Sequence, residues 1–187
     1  MLGIELRQKY LKELGFYSGA VDGVEGRKTC AAYLALQRKY FKAELCDGIY
    51  GKQTELLLKN AYKVHIYTKN FTLEEFRCPC GECSGYPVEI DGALLHCLQE
   101  IRDLFGTTKV TSGLRCQKYN DSLKGSSKTS RHLNGKAADI IVPICKSESG
   151  RQKVMDYWLR MPNSRYSYCN IGGSHKNMGS AVHVDVR

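Results

Sequence analysis

The apolar positions change their period along this chain. Up to about residue 62 they recur every three or four residues, as at Leu11 and Leu14 or at Leu57, Leu58 and Ala61. This spacing predicts helices over roughly Ile4 to Leu14, Thr29 to Tyr40 and Thr54 to Tyr62, a compact three-helix bundle. "VHIYTKN" (Val64 to Asn70) then reads as a linker. "TLEE" (Thr72 to Glu75) has capping-box spacing and starts a short helix through Phe76. "IDGALLHCLQEIRDLFG" reads as an amphipathic helix with Asp91 near its start, Leu94, Leu95, Leu98, Ile101 and Leu104 on one face, and Gly106 as its stop. "RQKVMDYWLR" reads as another helix, and "KVTSG", "AADIIV", "YCNIG" and "AVHVDV" read as strands. The expected organisation is multidomain: an all-α unit over residues 1–63, a linker over 64–70, and an α+β domain with a mainly antiparallel sheet over 71–187.

The first third contains an internal repeat. "DGVEGRKT" (Asp22 to Thr29) recurs 25 residues later as "DGIYGKQT" (Asp47 to Thr54), each copy leading into a helix. The glycines permit a tight turn with positive φ, and Thr29 and Thr54 can cap the helices that follow. Asp22, Gly23, Asp47 and Gly48 therefore read as turn formers rather than ligand contacts. "LKELGFYSGAVDGVEGRKT…ALQRKY…CDGIYGKQT" resembles the peptidoglycan-binding repeat domain found beside many bacterial and phage wall-degrading enzymes. The resemblance covers about the first 60 residues and implies wall targeting.

Composition narrows the classes. With 42% hydrophobic residues and 12 Tyr among 187 residues, the chain is that of a soluble globular protein. No run of 18 apolar residues and no apolar leader segment is present, so neither stable membrane insertion nor a secretion signal is expected. The net charge of +9 is spread over the chain without a basic block. It favours a polyanionic partner, or simply a lysine-rich surface, and no nucleic-acid reader motif accompanies it. Nine cysteines without a leader segment are expected to be mostly reduced thiols, some of them bound to metal.

The chemistry concentrates in the second part. His132 and Asp139 lie seven residues apart in "TSRHLNGKAAD". In "AADIIV" Asp139 points opposite to Ala138 and Ile140, and in "AVHVDVR" His183 and Asp185 share the face opposite the valines. Zinc hydrolases commonly take three ligands from histidine and carboxylate and keep a fourth position free. Spacing alone leaves a His132–Asp139–His183 metal site and a mere turn followed by a strand equally open. Cys78, Cys80 and Cys83 in "CPCGEC" offer three thiols for a second, structural metal, with Cys116 or Cys97 as fourth ligand, or they are plain reduced thiols. His96 reads as a surface residue. His175, in the glycine-rich "GGSHKN", either overhangs a cleft and binds substrate or sits in solvent.

"KNFTLEEFRCPCGEC…YPVEIDGALLHCLQEIRDLFGTTKVTSGLRCQKYNDSLKGSSKTSRHLNGKAADI" with the terminal "HVDVR" resembles the zinc D-alanyl-D-alanine carboxypeptidase and murein endopeptidase family. The wider superfamily includes the vancomycin-resistance dipeptidases and the hedgehog signalling domain. The pieces SxHxxGxAxD and HxD imply that His132, Asp139 and His183 bind zinc. The arginine of SGxR, Arg115, is implied to hold a substrate oxygen, its alternative being an ion pair with Asp121. Ser130 corresponds to a family serine that helps position substrate, its alternative being a cap hydroxyl. Some superfamily members place the catalytic base three residues before the last histidine ligand. That position is Ser180 here, so Asp185 on the face of His183 is the expected base, with orientation of a ligand histidine as its competing role.

These readings converge on a monomeric, endolysin-like zinc peptidase. It is made in the cytoplasm, acts on peptidoglycan at the bacterial cell wall, and does not bind nucleic acid. The alternative is a non-catalytic zinc-containing wall-binding module.

Overall fold

The computed structural model describes residues 1–187. Three helices come first: α1 (Ile4–Glu13), α2 (Arg27–Tyr40) and α3 (Lys52–Tyr67). They are followed by α4 (Gly92–Phe105), β1 (Lys109–Ser112), α5 (Gln117–Ser122), β2 (Ala137–Ile141), α6 (Glu148–Arg160), β3 (Ser164–Cys169) and β4 (Val182–Val186). The strands form one antiparallel sheet in the order β1-β2-β4-β3. This gives the C-terminal part its α+β architecture. The short α5 is an element that the sequence pattern did not signal.

Each repeated turn is pinned by a buried glutamine from the preceding helix. The Gln8 amide donates to Asp22 Oδ1 at 2.8 Å, to Val24 O at 3.0 Å and to Thr29 Oγ1 at 3.2 Å, and its oxygen accepts the Gly23 N–H at 2.9 Å. Gln37 repeats this with Asp47 Oδ1 (2.8 Å), Ile49 O (3.2 Å), Thr54 Oγ1 (2.9 Å) and the Gly48 N–H (2.8 Å). Gly23 and Gly48 adopt φ of 73° and 72°, the left-handed region that suits glycine. The aspartates thus serve the turn, as the repeat implied. Thr29 and Thr54 do not cap: Gly26 and Gly51 occupy the N-cap positions, and the threonine hydroxyls donate back to Val24 O and Ile49 O. The Val24 and Ile49 N–H groups and the two glutamine amides hold Asp22 and Asp47 below the usual carboxylate range. Their contribution is present above that range and is lost only as the pH falls through the lowered values.

The stretch expected to be a linker is helical as far as Tyr67. Apolar residues continue at helical spacing from Leu57, Leu58 and Ala61 to the buried Val64, and no glycine or proline interrupts them. The chain leaves the helix at Thr68, whose hydroxyl donates to Val64 O at 2.7 Å. Helix α3 also bonds directly to the segment before α4. Asn60 donates to Val88 O (2.9 Å) and accepts the Ile90 N–H (2.8 Å), and Lys63 donates to Ile90 O (2.9 Å). One hydrophobic cluster consequently runs from Leu11 to Val186.

In α4 the side chain of Asp91 accepts the Ala93 N–H, and Gly106 ends the helix with φ 86°. Its buried stripe runs through Leu94, Leu98 and Ile101 to Phe105, while Leu104 is exposed; the 3.6-residue period carries the stripe past that position. Strand β3 ends at Cys169, earlier than expected, because Gly172 and Gly173 both take positive φ and turn the chain. On α6, Trp158 is fully buried and its indole N–H donates to Asp185 O at 3.1 Å. Val182, Val184 and Val186 are fully buried in the core, while His183 and Asp185 project from the opposite face of β4. No helix is long and apolar enough to cross a membrane.

Replacing Gln37 by Ala strands the Gly48 N–H and removes the amide that bonds Asp47 and Thr54. It is expected to cost about 2 to 3 kcal/mol in denaturant unfolding; a loss below about 0.5 kcal/mol would contradict the anchoring role.

Candidate metal centre

The sheet register assembles most of the site. Asp139 on β2 pairs with His183 on β4, Ser112 on β1 pairs with Asp139, and Tyr168 on β3 pairs with His183. Four side chains from four strands thereby form one row across the sheet. His132 comes from a 3₁₀ turn (Arg131–Asn134) that ends at Gly135 with φ 67°. The Gly135 backbone packs so closely on Glu89 that a Cβ there would stand 2.1 Å from Glu89 O. The Asp91 N–H donates to Gly135 O at 2.9 Å and the Val186 N–H to Lys136 O at 3.0 Å, fixing the turn to both α4 and β4.

Three donor atoms converge. His183 Nδ1 lies 2.8 Å from Asp139 Oδ1, His132 Nε2 lies 3.4 Å from the same oxygen, and the two ring nitrogens are 3.3 Å apart. His132 Nδ1 sits 2.7 Å from Gly113 O. A carbonyl only accepts, so Nδ1 carries the proton and the lone pair of Nε2 faces the other two ligands. Bonds of about 2.0 to 2.2 Å to a tetrahedral ion place ligand atoms about 3.3 to 3.6 Å apart. Two of the three separations match, and the third needs only the ordinary spreading of a hydrogen-bonded pair. Two neutral imidazole nitrogens and one carboxylate oxygen form a donor set that suits zinc, so the residues fit the ion.

Electrostatics support the same set. Burial pushes His132 down, which keeps its imidazole neutral. Burial also opposes charge on His183, but the carboxylates of Asp139 and Asp185 outweigh it and raise the pKa. Asp139 is held far below the carboxylate range despite its burial, because both histidines bond to it. A buried carboxylate surrounded by donors is a strong anionic ligand.

The remaining candidates fall around this centre. Arg115 does not pair with Asp121, which accepts from Gln117 instead. Its Nη2 donates to Asp139 Oδ2 at 2.8 Å and to Ser112 Oγ at 2.8 Å, and its Nε donates to Ser112 Oγ at 3.0 Å. Arg115 therefore orients the ligand carboxylate through the oxygen that does not face the histidines, and these bonds leave its Nη1 unengaged. Asp185 lies on the outer side of His183, with Oδ2 3.7 Å from Nε2 and 3.2 Å from Arg165 Nη1. Its Oδ1 is buried without a partner. Ser130 caps the 3₁₀ turn by position, but its side chain makes no capping bond. His175 is the only non-glycine residue with positive φ (50°), and its ring lies 4.7 Å from that of Tyr168. Tyr168 in turn stacks on His183 at 4.5 Å. The sequence reading missed Tyr168; its alternation with Tyr166 in "RYSYC" was the available signal. His96 is exposed on α4 beside Glu100, as expected of a surface residue.

Above the centre opens a cleft of about 980 Å³, and only 2 of its 16 lining residues are hydrophobic. Arg115, Arg131 and Arg165 face it against the single carboxylate of Asp185, together with Ser130, His132, His175 and His183. Such a cleft suits a polar, anionic chain better than an apolar small molecule.

Residues 69–158 match the family model Peptidase M15. The match contains Arg115, His132 and Asp139 and ends before β4, so it is the fold that adds His183 to them. Over those residues the chain is similar to the Peptidase M15 family, and the three converging donors form a site that suits zinc. No curated protein matches the chain.

Gly135→Ala is expected to displace the His132 turn, since φ and space both exclude a Cβ there. Zinc titration should show affinity reduced at least tenfold with the sheet intact by circular dichroism; unchanged affinity would show that the close packing on Glu89 does not position His132.

Proposed function

We propose that this chain is a zinc-dependent peptidase that hydrolyses peptide bonds of bacterial peptidoglycan. The observation that carries the reading is the convergence of His132, Asp139 and His183 beneath an open, arginine-rich cleft. Bound there, zinc supplies Lewis acidity toward a peptide carbonyl and activates water near neutral pH. Arg115 keeps Asp139 turned toward the two histidines and offers Nη1 to a substrate carboxylate or carbonyl oxygen. Ser130 and His175 flank the cleft and bind the peptide. Cross-link and stem peptides of the wall carry free carboxylates, which the three arginines complement.

Asp185 is assigned to orientation. Its carboxylate addresses Nε2 of His183, the nitrogen that faces away from Asp139 and His132, and so fixes the ring that presents Nδ1. The competing role, acceptance of a proton from the attacking water, calls for a carboxylate oxygen open to the cleft, whereas Oδ1 is buried.

Residues 1–63 are assigned to wall binding and 71–187 to the peptidase, with 64–70 as the connection between them. The repeat resemblance supports this division, and tethering raises the local concentration of enzyme on an insoluble polymer. Because Gln8 and Gln37 engage the repeated aspartates, glycan contacts fall to other residues of the bundle. The reading places the protein at the bacterial cell wall as a monomer, acting in the manner of a phage endolysin.

Incubation with purified peptidoglycan should release new amino termini, read by mass spectrometry, with release abolished by chelation and restored by zinc. The masses distinguish carboxypeptidase from endopeptidase cleavage. Zinc content without any release would instead indicate a non-catalytic wall-binding module. Asp185→Asn should lower turnover and zinc affinity together, by about 10- to 100-fold. Complete loss of turnover at full zinc occupancy would make Asp185 the base.

A further inference from the structure

A second cluster of ligating groups lies outside the cleft. Cys78, Cys80 and Cys83 come from the loop that follows the 3₁₀ turn Leu73–Phe76, and the fold adds Cys116, the residue that caps α5. The four sulfurs lie within 4.8 Å of one another. Cys97, the other candidate from the sequence, is buried within α4 and is not among them.

We propose that Cys78, Cys80, Cys83 and Cys116 bind a structural divalent cation of the zinc class as four thiolates. Zinc–sulfur bonds of about 2.3 Å place tetrahedral sulfurs about 3.8 Å apart, and the sulfurs of Cys80 and Cys83 are 3.3 Å apart in the free thiols. Backbone amides are already aimed at every sulfur. Cys80 Sγ accepts from the N–H groups of Glu82 (3.4 Å) and Cys83 (3.3 Å), and Cys83 Sγ accepts from Gly85 (3.3 Å). Cys78 Sγ accepts from Cys116 (3.4 Å), and Cys116 Sγ accepts from Tyr119 (3.4 Å). A neutral thiol is a weak acceptor, so five amides converging on four sulfurs prepare the site for thiolates.

The place of the cluster gives it a purpose. Cys116 directly follows Arg115, which holds the ligand carboxylate of Asp139. The Leu114 N–H donates to Phe76 O at 2.8 Å, and a Cβ on Gly113 would stand 2.6 Å from the Phe76 backbone. A cation bridging Cys78 to Cys116 fastens these two strands of backbone just where Arg115 leaves them. It stiffens the arginine without touching substrate.

The test uses the full chain carrying His183→Ala, which removes a ligand of the cleft ion, purified under reducing conditions. Elemental analysis should find about one zinc per chain, lost when Cys80→Ser is added. Cobalt loading of the His183→Ala protein should give sulfur-to-cobalt charge-transfer bands in the near ultraviolet. Should the serine variant fail to fold, Cys80→His, which retains a four-ligand set, should keep the zinc and weaken those bands. Absence of zinc and of the cobalt bands from folded His183→Ala protein would overturn the proposal, as would a non-reduced mass showing disulfides among these four cysteines. Because the readouts are metal content and spectrum, the result stands whether or not the cleft proves to be a peptidase site.

Discussion

The pairing of Asp139 with His183 across β2 and β4 is the constraint on which the site depends. It puts a carboxylate and an imidazole side by side in a buried row, 2.8 Å apart, and leaves each with one further atom to satisfy. A buried carboxylate is tolerated only when its oxygens are bonded. Asp139 meets this with both histidines on one oxygen and Arg115 on the other. A slip of one residue in this register would turn Asp139 and His183 into the core and bring Ile140 and Val184 out. The valines of β4, packed in the core beside Trp158, therefore protect the metal centre as much as they stabilise the sheet.

Around that row the fold works by close backbone approach. Gly135 lets the His132 turn lie on Glu89, and Gly113 lets the segment leading to Arg115 lie on Phe76. Both contacts are made by the segment between α3 and β1, the region that α3 in turn grips through Asn60 and Lys63. The N-terminal helices are thus mechanically continuous with the parts that hold the ligands. Tethering and catalysis, as proposed, would share one continuous core rather than operate through a loose joint.

Strand alternation with period two set Asp139 and His183 apart from their apolar neighbours, and it was the resemblance to the zinc peptidases that joined them with His132 as one ligand set. The helices were legible for the parallel reason of helical spacing. What escaped were relations between distant segments. Gln8 and Gln37 look like ordinary polar helix residues, and only the folded turns reveal them as buried anchors. Arg115 was expected to hold a substrate oxygen, with Asp121 as its alternative partner, and neither reading contained the bond that the fold gives it to the carboxylate of Asp139. Cys116, 38 residues from Cys78, was one of two candidates for the fourth thiol, and only the fold chooses it over Cys97. The first four residues of the expected linker, Val64 to Tyr67, instead continue helix α3, because Val64 at helical spacing from Ala61 finds the core.

The most direct measurement is anomalous diffraction at the zinc edge from crystals of the zinc-loaded protein. A peak about 2.0 to 2.2 Å from each of His132 Nε2, Asp139 Oδ1 and His183 Nδ1, with a fourth position open to the cleft, is the predicted result. An ion bound instead between His183 Nε2 and Asp185, or no ion at these three residues, would contradict the account.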